Sequence, residues 1–317
     1  MLMCNKSSPE VTEFILLGFP YLYGYQPVLF VVFLLIYIII LTGNTAILTA
    51  VVMYTKLHKP MYFFLCNLAV LDLTFTTVTI PRMLTLFLFN ANTISFTACF
   101  IQMFFLHSLG NYESFLLMIM SYDRYIAICD PLHYTSIMNK RFNIQITVNC
   151  LVIACLVVLS ISVFTAQFPF NGLNKISHYF CDHYFISRLI CADTTPITIW
   201  AMCLVVICVF IPFSLVVFSY INILKTVLKV SSAAGRWKTF STCSSHLIVV
   251  VIYYASIVIS YSLITLGSDY DDIHALGTIF FSVLAPALNP PIYALRNKDV
   301  QEAFKTLIKL RSSVPEI

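Results

Sequence analysis

Long runs of apolar residues dominate the chain, and short polar stretches separate them. A membrane-spanning helix needs about 20 mostly apolar residues, and seven runs reach span length. They cover residues 28–54, 61–86, 99–128, 142–164, 197–224, 247–266 and 273–295. The connections are short except for the one over 166–196. The pattern predicts an all-α integral membrane protein, a single seven-transmembrane helix bundle.

Composition supports a membrane location rather than a soluble core. The chain of 317 residues is 60% hydrophobic and only 10% charged, whereas a soluble domain usually carries about a quarter charged residues. We expect a tail over 1–27, the bundle over 28–295 and a second tail over 296–317, with no separate soluble domain. The mild net charge of +4 gives no reason to expect a nucleic-acid partner.

Basic residues set the expected orientation. If the amino terminus is outside, 14 of the 18 Lys and Arg residues lie on the inner side and 4 on the outer side, a strong positive-inside bias. We therefore predict an extracellular amino terminus and a cytoplasmic carboxyl terminus. Residues 1–26 lack the pattern of a removable signal peptide. Asn5 begins a glycosylation sequon in the predicted outer tail.

The charged residues Asp72, Glu113, Asp123 and Arg124 fall within the apolar spans. An ionised group at the bilayer centre costs about 2.5–3.5 kcal/mol on insertion scales, so such groups face the bundle interior. Asp72 and Glu113 either hydrogen-bond between helices or form a protonation or cation site. Asp123 and Arg124 either neutralise each other at the membrane boundary or act as a switch.

A set of motifs in the right order resembles the odorant receptors of the rhodopsin-like (class A) G-protein-coupled class. The most specific motif is MSYDRYIAIC over 120–129, at the end of the third span. KPMYFFL opens the second span, SY ends the fifth, KTFSTCSSHL over 238–247 enters the sixth, and PALNPPIY over 286–293 closes the seventh. The resemblance covers nearly the whole chain, from Gly43 to Asn297.

The resemblance implies a disulfide between Cys99 and Cys181, and a switch at the inner membrane face. By resemblance, the switch residues are Asp123, Arg124, Tyr125, Tyr220, Asn289, Pro290 and Tyr293. It also implies a small odorant as ligand, a stimulatory heterotrimeric G protein of olfactory neurons as partner, and the plasma membrane of their cilia as location. No cofactor is implied.

Three positions depart from the family pattern. Asn171 stands where the family usually has a cysteine, which leaves the pairing of Cys191 open. The usual Phe-Tyr-Gly of the sixth span is Tyr-Tyr-Ala over 253–255. Pro291 doubles the proline of the seventh span and removes a second backbone donor, so we expect a sharper kink.

By resemblance, the ligand pocket lies in the outer half of the bundle, between the third, fifth and sixth spans and beneath the long loop. Helical spacing of three to four residues selects side chains on one face. The predicted ligand-binding residues are His107, Gly110, Asn111, Ser114, His183, Val205, Tyr254, Ile257 and Tyr261. Packing between helices is the alternative role for each of them.

A metal site is a weaker interpretation of the long loop. His178, Cys181, Asp182 and His183 lie close together in sequence, but a bridged Cys181 is no thiolate ligand, and a polar loop over the pocket is favoured. We expect no metal.

Other function classes have less support. A transporter predicts internal repeats and paired broken helices, which the sequence lacks, and an enzyme predicts a phosphate-binding loop or an HExxH motif, which are also missing. A non-olfactory class A receptor for a small ligand stays an alternative. An amine receptor would place an acid in the outer half of the third span, and none occurs over 100–112, so a neutral or weakly polar ligand is favoured.

Overall fold

The computed structural model describes residues 11–170, 174–264, 275 and 277–312, apart from some side chains within these ranges. Seven long helices form the bundle. They are α1 (Gln26–Met53), α2 (Pro60–Phe89), α3 (Phe96–Cys129), α4 (Lys140–Ala166), α5 (Thr195–Leu228), α6 (Ala233–Ile264) and α7 (Gly277–Leu295). An eighth helix, α8 (Lys298–Ser312), follows α7. The predicted seven-transmembrane bundle is confirmed, while its orientation stays a prediction.

Six of the seven helices are long and apolar enough to cross a membrane. The exception is α3, which is 34 residues long but carries Glu113, Asp123 and Arg124 within its apolar sequence. Because all three charges face other protein groups rather than lipid, α3 belongs to the same bundle. The helix that does not meet this criterion is therefore the one that carries three of the four candidate charged residues.

Local sequence fixes several helix ends. Ser95 caps α3 by accepting a hydrogen bond from the Ala98 amide at 3.3 Å, and Asn139 caps α4 by accepting one from the Phe142 amide at 2.9 Å. These side chains satisfy backbone donors that have no partner within the helix. Asn90 ends α2 with a φ of 51°, a left-handed conformation that asparagine tolerates better than most residues.

Two of the helices contain a π turn. Val206–Phe210 forms one in α5, and Phe280–Leu284 forms one in α7. Such turns change the direction of side chains and are common at functional sites. Farther along α7, the helix continues through Pro290 and Pro291 to its end.

A small three-stranded sheet, which the sequence did not predict, covers one end of the bundle. It consists of β1 (Glu13–Leu16), β2 (Thr93–Ser95) and β3 (Lys175–Ile176) in the order β2-β1-β3. The central strand belongs to the amino-terminal tail, and it pairs antiparallel with β2 and parallel with β3. Phe14 and Leu16 point inward and are buried, in keeping with the two-residue period of a strand.

The predicted disulfide is confirmed under this sheet. Cys99 at the start of α3 is bonded to Cys181 in the long loop, with their Cα atoms 5.4 Å apart. Both cysteines are fully buried and pack with Phe14 and Leu16. We call this the disulfide end of the bundle, and we call the opposite end, which carries Asp123 and Arg124, the Arg124 end.

One open question about the cysteines is settled. Cys191 is disulfide-bonded, so the alternative that it lacks a partner is wrong. The bonding of Cys191 therefore does not need a cysteine at position 171. Asn171 and the sequon at Asn5 also lie outside the described residues.

Candidate ligand-binding site and switch

Two adjoining cavities lie at the disulfide end, with volumes of about 100 and 230 Å³. His107 and Asn111 of α3, Asp182 of the long loop and Val209 of α5 line both of them. We call the pair of cavities the chamber. Of the predicted ligand-binding residues, Gly110 and Ile257 line the smaller cavity, and His183 and Val205 line the larger one.

Polar groups meet where the two cavities join. One carboxylate oxygen of Asp182 accepts a hydrogen bond from the Tyr184 amide at 2.9 Å, and the other lies 3.5 Å from Nε2 of His107. That nitrogen makes no hydrogen bond within the described part of the chain. Asn111 lies one helical turn from His107, on the same face of α3. His107 and Asn111 therefore present polar groups to a ligand in the chamber.

Sequence reasoning did not predict Asp182 as a chamber residue. The signal was its position beside Cys181, because the disulfide anchors this part of the loop to α3. The Asp182 side chain also caps the short helix His183–Ser187. Among the described residues that line the chamber, none is a lysine or arginine.

His183 stays neutral in this environment. Its Nε2 lies 3.1 Å from the Thr165 hydroxyl. Burial and the neighbouring His107 lower the pKa of His183 to about 4, while Asp182 acts in the opposite direction. At neutral pH its ring therefore supplies hydrogen bonding rather than charge to the chamber wall.

The loop over the chamber is tied to α7. Nε2 of His178 lies 3.1 Å from the Thr278 hydroxyl, and the Tyr179 hydroxyl is 3.0 Å from both Thr278 and Ser282. Phe19 of the tail stacks on Tyr179 with ring centroids 5.2 Å apart. Within the described residues, no group of three or more His, Cys, Asp or Glu side chains could hold a metal ion.

Three predicted ligand-binding residues do not lie on the described chamber wall. Ser114 and Tyr254 are buried, and their hydroxyls are 2.9 Å apart, which joins α3 to α6. The neighbouring Tyr253, which does line the chamber, donates to the Gly110 carbonyl at 2.7 Å. Ser114 and Tyr254 thus serve helix packing because their hydroxyls satisfy each other. The side chain of Tyr261 lies outside the described residues.

The two acids in the middle of the bundle are fully buried and close to α7. Asp72 accepts a hydrogen bond from the Asn289 amide at 2.9 Å. The other oxygen of Asp72 and one oxygen of Glu113 make no hydrogen bond within the described residues. Buried polar atoms without partners are rare, so this region has free capacity for a proton or a cation.

At the Arg124 end, polar side chains bond to one another. Nε of Arg124 donates to an Asp123 oxygen at 2.9 Å, and its Nη2 contacts the same oxygen. The Tyr134 hydroxyl donates to the second Asp123 oxygen at 2.8 Å. The sequence did not predict Tyr134, which lies on the short helix Tyr134–Ile137 between α3 and α4. Both carboxylate oxygens of Asp123 therefore accept a hydrogen bond.

Three other predicted switch residues, Tyr125, Tyr220 and Tyr293, lie near this ion pair, whereas Asn289 bonds to Asp72 in the middle of the bundle. The Tyr220 hydroxyl on α5 is 2.6 Å from Nδ1 of His246 on α6. Tyr293 of α7 lines a small cavity with Arg124 and His246, and its buried hydroxyl makes no hydrogen bond within the described residues. Tyr125 packs on α5. The structure thus brings α3, α5, α6 and α7 together at one polar cluster.

This arrangement agrees with comparisons to known proteins. The family model described as "Olfactory receptor" matches residues 33–310. The chain belongs to the olfactory receptor family. Human olfactory receptor 2AT4 is 45% identical over 96% of this receptor and 95% of its own length, and human olfactory receptor 6N1 is 42% identical over 95% and 96%.

The fold of this olfactory receptor is also similar to that of squid rhodopsin. The TM-score is 0.74 at 17% identity, over 93% of this receptor and 88% of the squid chain. Together with the membrane-spanning helices, family membership makes the chain a multi-pass membrane receptor and not an enzyme.

Proposed function

We propose that this receptor binds a small, mostly apolar odorant in the chamber and then activates a stimulatory heterotrimeric G protein, which raises cyclic AMP. The observation that carries the proposal is the chamber itself. Its wall is largely apolar, and His107 and Asn111 present polar groups at its centre. A mostly apolar pocket with a few convergent polar groups is the usual form of a small-molecule site.

The proposed orientation places the disulfide end outside the cell and the Arg124 end in the cytoplasm, at the plasma membrane of olfactory cilia. Outside the cell, conditions are oxidising, which suits the Cys99–Cys181 bond. The odorant would then enter from the same side. A volatile ligand has few heavy atoms, which limits its binding energy. We expect micromolar or weaker affinity.

The proposed coupling is a population shift. The closed Asp123–Arg124 pair stabilises the state described above, and a ligand that binds a second state more tightly shifts the equilibrium towards it. In that second state Arg124 leaves Asp123 and α6 moves outward to admit the G protein. Asp72 and Glu113 act as the protonation or cation site whose occupancy biases the two states.

One observation favours a second candidate, an amine-type ligand. The sequence places no acid on the outer half of α3, but the loop brings Asp182 into the chamber. Its carboxylate could pair with an ammonium group. Amines therefore belong in the test panel beside alcohols, ketones, esters and hydrocarbons of similar size.

The test is a dose–response screen of that panel on cells that express the full chain, with cyclic AMP as the readout. The proposal predicts agonists that act through cyclic AMP in cells expressing the receptor and not in untransfected cells. Signalling through calcium alone would contradict the stimulatory G protein. A well-expressed receptor that responds to no member of a broad panel would contradict the odorant assignment.

A further inference from the structure

A further cavity, separate from the chamber, lies on the side of the bundle towards the Arg124 end. It has a volume of about 360 Å³ between α3, α4 and α5, within the range of about 300–1,000 Å³ that is typical of small-molecule sites. Its wall includes Met118, Tyr122, Tyr125, Phe142, Ile146 and Phe218. None of its lining residues lines the chamber. We call it the side groove.

The side groove opens towards lipid. Tyr122 is 37% exposed, Leu215 is 46% exposed and Phe218 is 59% exposed. Large apolar side chains with this exposure, on helices that cross the membrane, face the hydrocarbon region. An occupant of the side groove would therefore come from the bilayer rather than from water.

The polar groups of the side groove are hydroxyls. Ser219 is already satisfied, because its hydroxyl donates to the Leu215 carbonyl at 2.9 Å. The hydroxyls of Tyr122 and Tyr125 have no hydrogen-bond partner in the described part of the chain. They lie near the Arg124 end of α3. An occupant with one hydroxyl at that end could bond to either tyrosine.

The described wall of the side groove contains no lysine or arginine. Arg124 lies between the two tyrosines in sequence, but its guanidinium is bonded to Asp123. A phospholipid phosphate would therefore have no cationic partner in the side groove. A rigid apolar molecule with a single hydroxyl could pack against the apolar wall and form a hydrogen bond with one of the two tyrosines.

We propose that the side groove binds a membrane sterol. The ring system packs against Met118, Ile146 and Phe218, and the sterol hydroxyl bonds to Tyr122 or Tyr125. The cavity and its two tyrosine hydroxyls carry the proposal.

Photolabelling tests the proposal on the full chain in cell membranes. A cholesterol analogue with a ring diazirine and an alkyne tag is irradiated in place, and labelled peptides are mapped by mass spectrometry. We expect label on the peptides that contain Tyr122 and Ile146, and competition by unlabelled cholesterol. Ile146→Trp fills the side groove with a larger side chain, so it should lower the label about fivefold or more.

Val148→Trp is the matched control, because it makes the same kind of change on an exposed position of α4 that does not line the side groove. It should leave the label unchanged. Tyr122→Phe combined with Tyr125→Phe keeps the shape of the wall and removes both hydroxyls, so this double variant should lower the label several-fold even if Ile146→Trp fails to fold. Equal labelling of wild type, Ile146→Trp and the double variant would overturn the proposal. So would labelling by a phospholipid acyl-chain probe that cholesterol does not displace.

Discussion

The two ends of the bundle differ in how far their polar side chains are hydrogen-bonded within the protein. At the Arg124 end, both oxygens of Asp123 are bonded, one to Arg124 and one to Tyr134. In the chamber, Nε2 of His107 has no hydrogen-bond partner among the described residues and is only within 3.5 Å of Asp182. At the Arg124 end the polar side chains therefore bond to one another, whereas His107 in the chamber can still form a hydrogen bond with a ligand.

The ends also differ in what holds them together. The disulfide end is fixed by a covalent bond and a small sheet, while the Arg124 end is held by side-chain contacts such as Tyr220 with His246. Covalent and backbone connections keep a binding site in place, and side-chain contacts can exchange partners. A fixed binding site and an exchangeable switch are what a receptor needs at its two ends.

The largest effect is expected from breaking the covalent connection. Cys99→Ser removes a bond between residues 82 positions apart, worth about 4 kcal/mol by loop closure. We expect a loss of nearly all surface receptor, measured by antibody labelling of intact cells. Cys203→Ser, at an exposed free cysteine, is the control and should keep normal surface levels. Normal surface levels of Cys99→Ser would contradict the structural role of the bond.

Breaking the switch should affect signalling and not surface level. Arg124→Ala removes the cation of the ion pair, so we expect ligand-driven cyclic AMP to disappear while surface levels stay largely intact. Arg141→Ala is the control, because Arg141 is exposed at the beginning of α4 and makes no ion pair in the described structure. An undiminished response of Arg124→Ala would remove the switch assignment.

Acid should weaken the disulfide end through His183. Its pKa is about 4 in the folded receptor and 6.5 in the reference state, so the unfolded state binds more protons between these values. Stability is therefore full above pH 6.5 and falls as the pH drops towards 4, by about 1.4 kcal/mol at pH 5.5. Thermal unfolding of purified receptor at pH 7.5 and 5.5 measures this loss. His183→Gln should reduce the difference, and an unchanged difference would contradict the role of His183.

The smallest effect concerns the contact between α3 and α6 beside the chamber. Tyr253→Phe restores the phenyl ring usual in the family and removes the hydrogen bond to the Gly110 carbonyl. A loss of about 1 kcal/mol should raise ligand-independent cyclic AMP up to about fivefold. Tyr25→Phe, at a position that is 63% exposed, should have no effect. Unchanged basal signalling of Tyr253→Phe would show that this bond does not favour the closed state.

The helices could be predicted because long uncharged runs give a strong local signal for membrane-spanning helices. The pairing of Cys99 with Cys181 was implied by the family resemblance. The sheet was missed since strands of four, three and two residues are too short for a periodic pattern. Tyr134 and Asp182 were missed as site residues because loops, not helix periodicity, bring them to Asp123 and to the chamber.

Helical spacing was a partial guide to the chamber. It placed His107, Gly110 and Asn111 on one face of α3, and all three line the chamber. Spacing alone could not show that Ser114 and Tyr254 satisfy each other, because that bond depends on how α6 packs against α3. The pairing of polar side chains across helices is a tertiary property.

The central claim is that the polar groups of the chamber select the ligand, and Asn111 tests it most directly. Dose–response curves for an agonist series are compared between wild type and Asn111→Ala at equal surface levels, with Gln145→Ala on the exposed face of α4 as control. We predict that agonists with a hydrogen-bonding group lose about tenfold in potency, that hydrocarbon-like agonists lose little, and that the ranking changes. Unchanged potency of every agonist in Asn111→Ala would contradict the chamber as the binding site.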